Sequence, residues 1–209
     1  TNFDQGSKYL YIRTGQATRQ AVMASLRDSG FIKNPGSFEV LADQTDVWKR
    51  LRPGRYEIKK NTSLFRLARL LRNGMQAPVD LVITKLRTKE QLAGLIGRKF
   101  ETDSAAFYAF LSNNDTLKKY ELDSNTIMTA VFPNTYTYFW NATPAVIFRK
   151  LYAEYQRVWN EERKQLAAER GLTPASAYIL ASIIEEETNV NDEKGNMSTV
   201  YLNRLKRGM

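Results

Sequence analysis

Three consecutive acidic residues, Glu185, Glu186 and Glu187, end an apolar segment with helical spacing and could supply an acid catalyst. At about 100° per residue, Glu187 shares a face with apolar residues, whereas Glu185 points to the opposite side. The other residues on that face are Ser176, Leu180, Ile183 and Ile184. Apolar surroundings raise the pKa of a carboxyl group, and an acid that stays protonated near neutral pH can act as a general acid. The alternative is a polar helix end that carries three solvated acids.

The composition limits the possible chemistry, because the 209-residue chain contains neither Cys nor His. It therefore cannot build a Ser-His-Asp, Cys-His or thiolate site, or a conventional zinc site. Catalysis would have to come from Asp, Glu, Lys, Tyr or Ser, and we expect no metal and no organic cofactor. The net charge of +9 and the pI near 9.7 favour a polyanionic partner without choosing among nucleic acid, anionic lipid and acidic polymers.

Short strands are predicted to alternate with helices in the first hundred residues. The predicted strands cover residues 9–12, 55–58 and 79–83, and the predicted helices cover residues 17–29, 38–48, 64–71 and 88–96. Thr62 or Ser63 is the expected N-cap of the third helix, which should end at Asn73-Gly74. Mixed strands and helices in this order predict an α+β fold.

From about residue 100 the prediction is mainly helical. A short helix is expected around Phe107 and Leu111, and an aromatic stretch interrupted by proline follows at residues 131–140. The remaining predicted helices cover residues 144–170, residues 174–187 after the N-cap Thr173, and residues 197–207. We find no internal repeat in the sequence.

Two runs near the C-terminus have a recognisable pattern, because residues 181–188 read ASIIEEET and residues 200–209 read VYLNRLKRGM. They resemble the signature of the YceG-like family, whose patterns are close to A-S-I-[IV]-E-x-E-T and V-[FY]-x-N-R-L-x-x-G-M. Residues 51–56, LRPGRY, with the helix after them, are similar to the family's LysM-like unit. Residues 131–136, VFPNTY, are similar to its F-x-P-[DN]-T-[YW] segment. The resemblance therefore covers nearly the whole chain.

This resemblance implies a peptidoglycan lytic transglycosylase that cuts the β-1,4 bond between N-acetylmuramic acid and N-acetylglucosamine within glycan strands. In that reaction the muramyl C6 hydroxyl replaces water and closes a 1,6-anhydro ring. One carboxylic acid can then serve where glycoside hydrolases use two. The family's essential acid is the third acidic position of the motif, which is Glu187 here. Glu185 matches the other motif acid, and we expect it to have a supporting role.

The N-R-L run supplies two further candidates, Asn203 and Arg204. Arg204 could bind a carboxylate of the peptide stem or of the lactyl group through its guanidinium fork. The structural alternative is a helix-capping Asn203 and an ion pair of Arg204 with Glu185 or Glu187.

Asn134, Thr135 and Tyr136 could line the glycan groove or form a turn packed on the core. Asn134 stands where some family members carry Asp, and a single-acid mechanism does not require that second carboxylate. Other aromatic residues suited to sugar rings, which we expect by default in the core, are Tyr56, Tyr138 and Trp140.

The resemblance also implies an organisation and a location. We expect a strand-helix region at residues 1–50, a LysM-like subdomain at residues 51–98 and the N-terminal part of the catalytic domain at residues 99–209. The partners would be peptidoglycan glycan strands, with peptidoglycan synthases alongside. Because the chain starts at Thr1 rather than Met, we expect a piece of a longer protein. A preceding transmembrane helix would anchor it on the periplasmic face of the cytoplasmic (inner) membrane.

The main alternative is a non-catalytic module that binds peptidoglycan or acts as a scaffold, since residues after Met209 would be needed to complete a cleft. A pyridoxal-phosphate lyase, an old label of this family, is not favoured. The chain lacks a glycine-rich phosphate cup and a lysine in an apolar strand. Nucleic-acid binding has only the charge in its favour, because the sequence has no helix-turn-helix, RRM or finger pattern.

Overall fold

The computed structural model describes residues 1, 3 and 6–208 of the chain. Within these residues, four strands form two separate two-stranded antiparallel sheets, and the remaining regular elements are helices. The predicted α+β fold is therefore confirmed. In the same residues, no helix is both long enough and apolar enough to cross a membrane.

Residues 7–72 form what we call the first unit, in which β1 (Ser7–Ile12) pairs with β2 (Gly54–Lys59). Its helices are α1 (Arg19–Asp28), α2 (Pro35–Gln44), α3 (Val47–Arg50) and α4 (Leu64–Arg72). Leu10 and Tyr56 are opposite each other across the two strands, and both are buried. They pack with apolar residues of all four helices into one hydrophobic core.

Residues 78–158 form the second unit, in which β3 (Pro78–Ile83) pairs with β4 (Asn134–Phe139). Its helices are α5 (Lys89–Lys99), α6 (Ser104–Ser112), α7 (Asn114–Leu117) and α8 (Pro144–Val158), with 3₁₀ turns at Lys118–Tyr120 and Ile127–Ala130. A second hydrophobic core lies within this unit, and it includes Tyr138 and Trp140. With Tyr56 in the first core, the default expectation for these three aromatic residues is confirmed.

The second unit repeats the arrangement of the first. Ile12 pairs with Gly54 as Ile83 pairs with Asn134, so both sheets have the same register. Helices α4 and α8 bury residues at identical spacing, namely Leu67, Ala68 and Leu71 in one and Ile147, Phe148 and Leu151 in the other. The structure therefore repeats an arrangement of strands and helices, although the sequence shows no internal repeat.

A tyrosine fixes the turn before the second strand of each unit. The Tyr56 hydroxyl donates to the Arg52 carbonyl at 2.8 Å, and the Tyr136 hydroxyl donates to the Phe132 carbonyl at 3.0 Å. The two units thus share burial, helix capping and strand register. Few residues are identical at equivalent positions, so the sequence does not reveal the similarity.

The sheets of the structure do not follow the three segments that we predicted at residues 1–50, 51–98 and 99–209. The predicted LysM-like segment contributes β2 to the sheet of the first unit and β3 to the sheet of the second. The aromatic stretch at residues 131–140, for which we predicted no strand, contains β4. As independent domains, the three segments stay a prediction.

Two of the predicted helices are interrupted. The helix predicted over residues 144–170 is wrong, because Asn160 caps a new helix, α9 (Glu161–Ala168), by accepting a hydrogen bond from the Arg163 amide at 2.9 Å. The helix predicted over residues 38–48 stops at Gln44, and Asp46 adopts a left-handed φ of 54° before α3 begins.

The last helix, α11 (Asn191–Lys206), begins six residues before the predicted start at residue 197. The Thr188 hydroxyl accepts a hydrogen bond from the Val190 amide at 3.0 Å and donates to Glu193 at 2.8 Å. This compact turn at residues 188–190 connects the end of the preceding helix directly to α11.

Contacts between the units centre on Glu101, whose carboxylate accepts hydrogen bonds from the Thr14 amide at 2.6 Å and the Thr14 hydroxyl at 2.7 Å. The Tyr11 and Trp140 rings meet edge to face with centroids 4.9 Å apart. The Asn141 amide donates to the Pro53 carbonyl at 3.3 Å. The end of β1 in the first unit is therefore covered by loops of the second.

Candidate active site

The helix predicted to carry the three acids is confirmed as α10 (Pro174–Glu187). Thr173 and Ser176 form a capping box, in which the Thr173 hydroxyl accepts from the Ser176 amide at 3.1 Å and the Ser176 hydroxyl accepts from the Thr173 amide at 2.8 Å. Pro174 occupies the first helical turn, where its missing N–H has no cost. The helix ends after Glu187 because the backbone of Thr188 is extended.

One side of α10 packs on the second unit. Leu180 and Ile184 are buried, and the Tyr178 hydroxyl donates to the Val131 carbonyl at 2.9 Å. The Tyr178 ring meets the Phe132 ring edge to face, with centroids 5.4 Å apart. A cleft of about 610 Å³ remains between α10, the β3–α5 loop and the segment before β4. The second unit thus positions the helix that carries the acids.

Glu186 is held between two cations of the β3–α5 loop. Lys85 Nζ lies 2.8 Å from one carboxylate oxygen, and the Arg87 guanidinium donates to the other. The hydrogen bond from Lys85 and the charges of both cations hold the pKa of Glu186 below its usual range. Exposed ion pairs stabilise a fold only slightly. We therefore expect these pairs to contribute little to overall stability and to hold the C-terminal end of α10 against the β3–α5 loop.

Glu185 links α10 to α11. Its carboxylate accepts a hydrogen bond from Lys194 Nζ at 2.6 Å. The two helices therefore form a hairpin braced by an ion pair, and a supporting role of Glu185 in catalysis stays a prediction.

Glu187 is exposed, and its Oε1 accepts a hydrogen bond from the Tyr201 hydroxyl at 3.4 Å. The predicted apolar surroundings are wrong for the described residues, since Ile183 on the same face is 41% exposed. The face that packs on the second unit is that of Leu180 and Ile184, and Glu187 extends past this contact. The alternative of a solvated helix end describes its surroundings correctly.

Tyr201, which we did not predict, lies between two of the predicted residues. Its hydroxyl contacts Glu187, and the Arg204 guanidinium carbon lies 5.9 Å from the centroid of its ring. This is a cation–π arrangement between residues three positions apart on α11. Tyr201 precedes the N-R-L run at helical spacing from Arg204, and this spacing was the signal that could have identified it.

Asn203 and Arg204 are exposed on α11. Asn203 lies inside the helix rather than at its end, and its side chain has no hydrogen-bond partner in the part of the chain that the structure describes. Arg204 forms no ion pair with the described acids, and Glu185 pairs with Lys194 instead. Within the described residues, the structural alternatives predicted for this pair are therefore wrong, and a role of both residues in substrate binding stays a prediction.

Asn134, Thr135 and Tyr136 lie at the start of β4. The Asn134 amide donates to Glu154 at 3.3 Å, and its oxygen accepts from the Thr135 amide at 2.7 Å. Tyr136 is buried, and this burial raises its pKa to about 12. Tyr136 therefore packs on the core and holds Phe132 against α10, whereas Asn134 and Thr135 are exposed residues of β4 rather than of a turn. A role of Asn134 and Thr135 in lining the glycan groove stays a prediction.

Comparison with known families places these residues in context. The model of the YceG-like family matches residues 10–209. The chain belongs to the YceG-like family. A crystal structure of the yceG-like protein lmo1499 from Listeria monocytogenes has a similar fold, with a TM-score of 0.52 and 19% identity over 98% of this chain and 72% of that one. A search of curated proteins gives no match.

The motif segments of this YceG-like chain occupy two kinds of position. Residues 181–188 and 200–208 form the facing parts of the α10–α11 hairpin, and Met209 lies outside the described residues. Residues 51–56 and 131–136 are equivalent turns of the repeat, each leading into the second strand of its unit. The hairpin is thus the candidate active site, and the repeat is its support.

Proposed function

We propose that this YceG-like chain carries the acid of a peptidoglycan lytic transglycosylase, the activity known in the family as MltG, and that Glu187 is that acid. The observation that carries the proposal is the contrast among the three motif acids. Glu185 and Glu186 are paired with cations, whereas the contact of Glu187 in the described residues is a tyrosine hydroxyl. Glu187 is the acid that stays available for proton transfer.

The reaction follows from one carboxyl group. Glu187 in its protonated form donates its proton to the glycosidic oxygen as the bond from the muramyl C1 breaks. The muramyl C6 hydroxyl attacks C1, and the Glu187 carboxylate accepts the hydroxyl proton, which restores the acid. The products are a 1,6-anhydromuramyl end and a new N-acetylglucosamine hydroxyl.

A glycan strand would also change the surroundings of Glu187. Because Glu187 is exposed, a strand that covers it has to exclude water and so favour the protonated form. Tyr201 can orient the carboxyl group through its hydroxyl. Arg204, beside Tyr201, can bind a carboxylate of the stem peptide or lactyl group.

The test is mass spectrometry of muropeptides released from purified sacculi by the full-length protein that contains this sequence. We expect 1,6-anhydromuramyl products from the parent protein and a loss of at least about a hundredfold with Glu187→Gln, in keeping with general acid–base catalysis. Glu162→Gln, an exposed acid on α9, is the matched control and should retain activity. Reducing ends would contradict the proposal, because water would then be the acceptor.

The exposure of Glu187 also favours a second candidate, a module that binds peptidoglycan without cutting it. Under that hypothesis the folded protein would sediment with sacculi, release no muropeptide, and bind equally well with Glu187→Gln. Release that depends on Glu187 would exclude it.

A further inference from the structure

The first unit carries a cluster of cations far from the acids in the chain. Lys49, Arg50, Arg52 and Arg72 line a shallow cavity of about 560 Å³, which we call the basic concavity. Lys49 pairs with Asp46 at 2.8 Å, but none of the three arginines forms an ion pair with a described residue. The concavity therefore has an unbalanced positive charge.

These cations also affect the pKa of a nearby carboxyl group, that of Asp46. The hydrogen bond from Lys49 and the charges of Lys49, Arg72 and Arg50 hold the pKa of Asp46 below its usual range. A group of like charges without counter-charges attracts anions.

The fold holds two of these arginines in place. A Cβ atom on Gly74, whose φ is +62°, would lie 3.0 Å from Arg52 Cδ, so the stem of Arg52 packs closely on this backbone. Arg72 Nε is buried without a hydrogen-bond partner in the described part of the chain. The concavity is therefore partly preorganised for an anionic ligand.

An exposed phenylalanine flanks these cations, and an exposed methionine follows them in the chain. A smaller cavity of about 270 Å³ shares Arg72 with the concavity and adds Arg69 and Phe65. Phe65 and Met75 are each 61% exposed, among the most exposed large apolar side chains of the described residues. A soluble polyanion would require only the charges, whereas cations beside exposed apolar side chains suit the interface of an anionic bilayer.

We propose that the face formed by α3 and α4 of the first unit, together with residue 75, binds the surface of a bilayer that contains anionic phospholipid. The arginines contact lipid phosphate groups, and Phe65 and Met75 enter the interfacial layer. This inference is independent of the proposed catalytic reaction.

The test is sedimentation of this 209-residue chain with vesicles of phosphatidylglycerol and phosphatidylcholine in equal parts. We expect Arg50→Gln with Arg69→Gln to lower the partition coefficient about twenty-five-fold, since each of the two surface cations contributes roughly fivefold. Both arginines are exposed and unpaired within the described residues, so the variant should fold. The control, Lys33→Gln with Lys119→Gln, removes the same charge elsewhere and should have less than half of that effect on a logarithmic scale.

The apolar contribution has its own pair of variants. Phe65→Ser should weaken binding to these vesicles severalfold, whereas Leu166→Ser, at an exposed position of α9, should not. Equal losses in the two charge variants would overturn the proposal, because binding would then follow net charge alone. Loss of binding to sacculi by Arg50→Gln with Arg69→Gln, with vesicle binding intact, would assign the face to a wall polymer instead.

Discussion

Phe132 in the second unit and Arg52 in the first occupy equivalent positions, yet they serve different surfaces. Each offers its carbonyl to the tyrosine of its own unit, Tyr136 or Tyr56. The Phe132 ring packs on Tyr178 of α10, whereas the Arg52 guanidinium lines the basic concavity. The two residues therefore share a backbone role, whereas their side chains lie on different surfaces.

The same comparison holds at the loop after the first strand of each unit. In the first unit Thr14 binds the carboxylate of Glu101, and in the second unit Lys85 and Arg87 bind that of Glu186. Each unit therefore receives an acid from the part of the chain that follows it. The first unit thus contacts the second through Glu101, and the second unit contacts the α10–α11 hairpin through Glu186.

The largest effects should come from equivalent core residues. Phe38 and Phe107 are both fully buried, one in each hydrophobic core. We expect Phe38→Ala and Phe107→Ala each to lower the free energy of unfolding by about 3–5 kcal/mol. Urea unfolding followed by circular dichroism measures this change.

Val40→Ala on the exposed side of α2 is the control for these variants, and it should change stability little. A cost at Phe107 much smaller than that at Phe38 would break the equivalence of the two cores. A separate early transition in one variant would show that the units unfold independently.

A smaller effect is expected for the two tyrosine hydroxyls. Tyr56→Phe and Tyr136→Phe each remove one hydrogen bond to a carbonyl and should cost about 0.5–1.5 kcal/mol near neutral pH. Near-equal costs, measured by the same urea titration, would support equivalence of the two turns. A cost at Tyr136 alone would indicate that the turn of the first unit is held by other contacts.

Alkaline pH sharpens the comparison. Burial raises the pKa of Tyr136 from 10.0 to about 12, so the unfolded chain loses this proton first. The stabilisation is complete below pH 10.0 and is lost as the pH rises from 10.0 to about 12. Tyr136→Phe should therefore lose less stability than the parent protein in this window. An identical pH profile in the two proteins would contradict the assignment.

Local signals were enough to predict most elements of the fold. The Thr173-Pro174 pair located the start of α10, and Asn160 followed by two glutamates was an available signal for the break before α9. Such signals depend on side chains within one turn of the helix end, so the sequence contains them.

The surroundings of the acids depended on tertiary contacts instead. Glu187 shares a helical face with Leu180 and Ile184, but only these two residues are buried against the second unit, and Glu187 lies past the end of that contact. Only the path of the whole chain determines where the contact ends. Tyr201 reaches Glu187 because a short turn brings α11 back along α10. The repeated arrangement is not evident in the sequence, because equivalent positions of the two units share burial and strand register but few identical residues.

The smallest effects should come from the two acids that join successive parts of the chain. Glu186→Gln removes the ion pairs with Lys85 and Arg87, and we expect hydrogen exchange of the α10 amides to rise about two- to fivefold, as for exposed pairs. Glu101→Gln should leave α10 unchanged and increase exchange in the loop that contains Thr14. Exchange measured by mass spectrometry separates the two regions.

Glu162→Gln is the control, since this exposed acid joins neither pair of regions, and it should change neither exchange pattern. If Glu186→Gln leaves α10 unchanged, then the buried contacts of Leu180, Ile184 and Tyr178 position the helix by themselves. The loops that contain Thr14 and Lys85 would then have different roles. The hydrogen bonds from Thr14 to Glu101 would hold the two units together, whereas the ion pairs of Glu186 would not position α10.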